Sequence, residues 1–294
     1  VGGELLQTGT AASTLKATDS LDNSGGRIAS NAQTLSLEAQ TLNNRGGKVE
    51  HAGDGRLALN AQRIEGSGGT LLSNGELQLN AQQVVLADGR RQGRQVLIDS
   101  RELDNRGGTL LATDGGLLEV RDAQRLDNSG GSIASNGEVR LTAQELLNEG
   151  GELLSGRLLS LNAAYLRGNG RALSLGDLLL RQQGDMSLAG QLQANGKLDI
   201  EAGGTLNNTA QLQAGQSLLL RSAALNNSSG AELSANQVDL RVTGQLLNRG
   251  LVDGQLVRVQ ADEVHNLGTG QLYGDRLAIA SRLLSNRDEG GRAA

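Results

Sequence analysis

The sequence predicts an all-β protein, a right-handed parallel β-helix of about 14 coils of roughly 21 residues each. Three observations predict it. Near-identical units recur along the chain, apolar residues within each unit alternate with polar ones, and Gly and Asn punctuate the units at fixed places.

The units superimpose when the chain is cut before each Leu-Asx-Asn. From Leu21 the chain reads LDNSGGRIASNAQTLSLEAQT, from Leu42 LNNRGGKVEHAGDGRLALNAQR, from Ile64 IEGSGGTLLSNGELQLNAQQV, and from Leu126 LDNSGGSIASNGEVRLTAQEL. Leu35, Leu37 and Ala39 repeat with a period of two, as do Leu57, Leu59 and Ala61, and this is the signature of a strand. A second inward position follows the Gly pair at Ile28, Val49, Leu71, Leu110, Ile133 and Leu153. A third opens the unit at Leu21, Leu42, Leu103 and Leu126. Three short apolar segments per repeat describe one turn of a three-sided coil, which buries its interior only by stacking on its neighbours.

Corners require unusual backbone geometry, which Gly and Asn tolerate. Asn23, Asn44, Asn105, Asn128, Asn148, Asn208, Asn227 and Asn248 share one place in the unit, so they are expected to stack as a structural ladder along one corner. Their phase also predicts one continuous β-helix over 1–294. Within it, residues 1–165 are regular repeats interrupted by an irregular basic loop at about 86–102, 166–205 are diverged coils, and 206–294 are moderately regular.

Composition narrows the function. The 294 residues include 43 Gly and no Pro, Cys, Trp or Phe, yet 37% are hydrophobic, so the core must be narrow and aliphatic. A net charge of −5 and the scarcity of aromatics argue against a nucleic-acid surface. No apolar run is long enough to span a bilayer as a helix. The opening Val1-Gly2-Gly3-Glu4 starts in mid-pattern without an initiating Met, as expected of an excerpt from a longer polypeptide.

The units LDNSGGSIASNGEVRLTAQ and LNNRGGKVE resemble the haemagglutinin repeats of filamentous haemagglutinin-like and contact-dependent growth inhibition exoproteins. The likeness is strongest from Leu21 to Ala163 and weakest from Leu166 to Thr205. It implies a β-helical filament secreted to the surface of a Gram-negative bacterium by an outer-membrane two-partner secretion transporter, which would act through parts outside this sequence. It further implies a shaft that holds a distal adhesin or toxin away from the cell and contacts a receptor or glycan on a target cell. The chain is expected to be monomeric, without a cofactor or metal.

The rival reading is a β-helix enzyme that cleaves polysaccharides. Such sites need paired carboxylates and commonly aromatic platforms, whereas Asp22, Asp104 and Asp127 fall at corners and only Tyr165 and Tyr273 are aromatic. No catalytic residue is therefore assigned. His51 and His265 lack partners at metal-ligand spacing and are expected at the surface or at corners. One segment, VVLADGRRQGRQVLIDSRE, replaces the Asn corner with a basic run; a protruding loop is expected there, with Arg90, Arg91 and Arg94 as a contact for an anionic partner.

Overall fold

In the computed structural model, which describes residues 2–289, the regular structure is β-strand and the strand pairings are parallel. The chain winds as a β-solenoid of about 14 turns with roughly 20-residue spacing. It falls into two compact units, Val1–Gly156 and Arg157–Ala294.

In the first unit each turn contributes one strand to each of three ladders. Strands Arg27–Ser30, Lys48–His51, Thr70–Ser73, Arg90–Gly93, Thr109–Ala112, Ser132–Ser135 and Glu152–Ser155 form one of them, paired in that order. Their second residues face inward. Ile28, Val49, Leu71, Leu110, Ile133 and Leu153 make a buried aliphatic column. On the next side, Leu57, Leu77, Val96, Leu118 and Val139 align in register, each with no exposed surface. At about 25 cal/mol per Å² of apolar area, such columns are the main favourable contribution to folding. They explain why a chain without Phe or Trp can hold a core: identical aliphatic side chains one strand spacing apart fill a narrow tube.

The corner after the inward column is closed by Ser. The Ser73, Ser135 and Ser174 hydroxyls accept the backbone N–H two residues on, at 3.2, 2.9 and 3.2 Å, and so tighten the turn. Strands on either side of this corner are separate in the first unit, also where Gly93 or Ala112 stands in place of Ser. The following Ala-Gln corner lacks such a device, and from Glu76 onward strands run through it, as in Glu76–Val85 and Glu138–Leu147.

In the second unit the uninterrupted corner changes. Ala214, Ala235, Gly254 and Gly274 replace the closing Ser, and long strands Gln211–Ser222, Glu232–Val242, Leu251–Gln260 and Gln271–Ala280 pass through that bend. The next corner is now the interrupted one, marked by Gly203-Gly204 and Thr243-Gly244 in two of the coils. It isolates a separate six-stranded ladder running from Met186–Leu188 to Leu283–Arg287. The weakly repetitive stretch 166–205 keeps register throughout: Leu178 pairs with Leu198, Ala172 with Leu192, and Met186, fully buried, with Leu206.

Candidate functional site

The Leu-Asx-Asn corner carries the densest buried polar structure. Asn23 Nδ2 donates to Asn44 Oδ1 at 2.7 Å, and Asn105 Nδ2 to Asn128 Oδ1 at 2.7 Å; Asn128 Nδ2 in turn donates to Asn148 Oδ1 at 2.9 Å. In the second unit the chain of amides runs Asn208 to Asn227, Asn248, Asn266 and Asn286 at 2.8–2.9 Å. Asn266 was not singled out from sequence, because HNLGTG hides the unit's Gly-Gly spacing. Asn105, Asn128, Asn208 and Asn248 have no exposed surface.

The two glycines after this corner serve different needs. Gly130 has φ +62°, a conformation costly for other residues, and space around it. Gly131 has ordinary backbone geometry, but a Cβ there would lie 2.2 Å from Asn105 O and 2.8 Å from Asn128 Oδ1.

The basic segment departs from expectation. Residues 86–102 do not protrude: Arg90–Gly93 is a regular strand between Thr70–Ser73 and Thr109–Ala112, and Asp88 takes the left-handed position of the corner at φ 56°. Arg91 pairs with Leu71 and Leu110 and occupies the inward column with no exposed surface, so it cannot contact a partner as expected. Its Nη1 donates to Leu86 O and its Nη2 to Gly66 O, while its buried Nε has no partner among the described residues. Burial pushes this guanidinium down to about 10.

Gly66 and Leu86 occupy the corner places held by Asn44 before them and Asn105 after them. The guanidinium thus spans the gap in the amide ladder between Asn44 and Asn105, reaching from the inward column to the carbonyls of the two coils there that lack Asn. Arg90 and Arg94 remain exposed; Arg90 donates to Gln92 Oε1 at 2.6 Å and Arg94 to Asp54 O at 3.1 Å.

The histidines also part company. His51 sits at a corner and is buried there in the column of closing serines, with Nδ1 3.0 Å from Ser73 Oγ and Nε2 2.8 Å from Ala32 O. Burial lowers its pKa below the usual imidazole value. His265 is half-buried beside Glu263, at 3.1 Å. Among the described residues no cluster of three His, Cys, Asp or Glu could hold a metal ion.

Many outward-facing charges are paired along single strands, such as Arg140–Glu138 at 2.6 Å, Arg121–Glu119 at 2.7 Å and Arg241–Asp239 at 2.8 Å, or with a residue of the adjoining turn, as Arg106 with Asp104 at 2.6 Å. The Arg106 guanidinium holds the Asp104 carboxyl below the usual carboxylate range. Two concave surfaces have linings of this paired kind. One, of about 210 Å³, contains Asp104, Arg106, Arg125 and Asp127. The other, of about 730 Å³, contains Arg221, Arg241 and Asp262, which are bound to Asp199, Asp239 and Arg282 respectively. Tyr165 and Tyr273 both lie outside the core, 57% exposed.

The haemagglutinin-repeat family profile matches residues 8–80, 52–130, 115–190, 176–250 and 228–282. Deoxyribonuclease CdiA of Dickeya dadantii (strain 3937) is 38% identical over 112 residues, which is 38% of this chain and 3% of that protein. The chain therefore spans only a small part of that relative's length. No solved structure matches it. Repeated coils, the amide corner and profile matches running from residue 8 to 282 agree: the chain belongs to the haemagglutinin-repeat family.

Proposed function

We propose that the chain is a filament segment of a secreted surface exoprotein, a shaft that extends a distal adhesin or toxin from the bacterial cell and contacts target cells along its sides. One observation carries this reading: the conspicuous polar residues of the repeat, from Asn105 and Asn128 to Arg91, are buried and used up in joining one coil to the next. What the repeat encodes is length and stiffness. Its partners would be an outer-membrane two-partner secretion transporter, engaged through other parts of the polypeptide, and a receptor or glycan on the target cell. A Gram-negative surface fits that route. Nuclease activity of the kind named for the Dickeya dadantii relative would belong to a different part of such a protein, with this segment as its carrier. Exposed Arg90 and Arg94 are the residues proposed for contact with an anionic partner.

The test is deletion by coil in the full exoprotein. Removing residues 105–127 takes out one whole coil and joins equivalent corner positions, so export and surface display should persist. Removing 105–116 leaves the inward columns out of phase and should abolish display. If both deletions were equally harmful, the segment would be more than a spacer and the shaft reading would fall.

A further inference from the structure

In the second unit four long strands run through the corner occupied by Ala214, Ala235, Gly254 and Gly274, and a groove of about 630 Å³ lies along it. Ser234, Asp253 and Tyr273 stand in register on one bank, one strand spacing apart. Asn236, Gln255 and Asp275 also line it. The floor is Ala214, Ala235, Gly254 and Gly274, small enough to leave backbone within reach.

This groove differs from the other concave surfaces in one respect. Their charged groups are satisfied by neighbouring side chains, whereas Asn236, Asp253, Gln255, Tyr273 and Asp275 have no side-chain hydrogen bond or ion pair with any described residue. An aromatic ring is thus exposed beside two carboxylates and two amides that all point at solvent with full bonding capacity. Carboxylates accept from adjacent hydroxyls, amides both donate and accept, and a flat ring packs on the C–H face of a pyranose. Two unneutralised carboxylates repel acidic sugars and phosphate.

We propose that this groove binds a neutral oligosaccharide, with Tyr273 as the stacking platform and Asp253, Asp275, Asn236 and Gln255 as the hydroxyl-reading groups. Four strands at about 4.8 Å spacing make the site roughly 14 Å long, enough for a short oligosaccharide. The proposal deepens the surface-contact part of the reading above and rests on it.

The test uses the intact 294-residue chain on an array of glucose-, galactose-, mannose- and N-acetylhexosamine-terminated oligosaccharides, with sialylated and sulfated counterparts, followed by calorimetry on the best neutral sugar. Saturable binding within the neutral set is expected. Tyr273→Ala should weaken it about tenfold and Tyr273→Phe by less than about threefold. Asp253→Asn combined with Asp275→Asn should also weaken it, while Tyr165→Ala should leave it unchanged. Because these side chains are exposed, unchanged circular dichroism should accompany every variant. Absence of binding to every neutral sugar at millimolar concentration, preference for the acidic sugars, or binding that survives Tyr273→Ala would overturn the proposal. None of those results depends on export, so the coil-deletion experiment judges the shaft separately.

Discussion

Arg91 donates through Nη2 to the carbonyl of Gly66, one coil away, and the two residues depend on each other. A Cβ at Gly66 would lie 2.7 Å from that nitrogen and 3.3 Å from Leu86 Cδ2, so a guanidinium in the core excludes Asn from the corner. The pair is an alternative solution to the problem the amide ladder solves elsewhere.

That exchange is reversible by design. The triple variant Gly66→Asn, Leu86→Asn and Arg91→Leu removes both atoms that crowd the Gly66 Cβ and lets amides run from Asn44 to Asn105. A buried charge without a carboxylate partner is costly, and each restored bond contributes about 1 kcal/mol. The triple variant should be more stable than the parent by about 1–3 kcal/mol in urea denaturation. Arg91→Ala, which leaves a cavity, should lose about 2–4 kcal/mol.

Within the ladder, Asn128 accepts from Asn105 and donates to Asn148 Oδ1, Gly131 O and Glu152 O. Asn128→Leu would strand these buried groups and should cost about 2–4 kcal/mol. Asn286, exposed and accepting through its Oδ1 from Asn266, is the control; Asn286→Leu should change the urea midpoint little.

The corner glycines should separate by mechanism. Gly130→Ala should cost about 1–2 kcal/mol through its left-handed backbone alone. Gly131→Ala should cost more, because its Cβ meets the Asn105 carbonyl, which is held in place by the Gly108 N–H at 3.0 Å. Reversal of that order in denaturation midpoints would show that the second glycine tolerates a side chain.

His51 gives the first unit an acid-sensitive element. Burial depresses its folded-state pKa below the ordinary 6.5, so its neutral form is favoured by folding. The stability this residue permits is fully present above 6.5 and is lost as pH falls through that value toward the lower folded pKa. Glu50 and Asp54 are its nearest acidic neighbours in the chain, and neither is paired with it. His51→Ser, which continues the column of Ser30 and Ser73, should flatten the fall in melting temperature between pH 7.5 and pH 5 relative to the parent.

Much of this was readable before the structure. The spacing of Asn23, Asn44, Asn105 and Asn128 and the alternation of Leu57, Leu59 and Ala61 state the coil directly, because inward and corner positions recur without exception in those units. Arg91 was misread because a run of Arg ordinarily marks solvent. The Gly register held the correction: Arg91 stands two residues after Gly89, as Leu71 does after Gly69 and Leu110 after Gly108. His51 does lie at a corner, but its burial was not foreseen; it shares its place with Ser73, two residues past the inward aliphatic. The change of uninterrupted corner was not legible, since Ala and Gly replace Ser at 214, 235, 254 and 274 but also at Gly93, Ala112 and Ala194, where the strands still break.

The amide corner also has a direction. Asn23, Asn227 and Asn248 each send both hydrogens of Nδ2 toward the coil that follows, to its Asn oxygen and to a carbonyl beyond it, at Lys48, Leu251 and Gln271. A finished coil thus ends in unspent donors, and the coil arriving from the C-terminal side brings the acceptors. The row of amides presents hydrogens on its C-terminal side and oxygens on its N-terminal side. The side chains at a single corner therefore give the assembly a vectorial order that the aliphatic interior, identical in both senses, cannot supply.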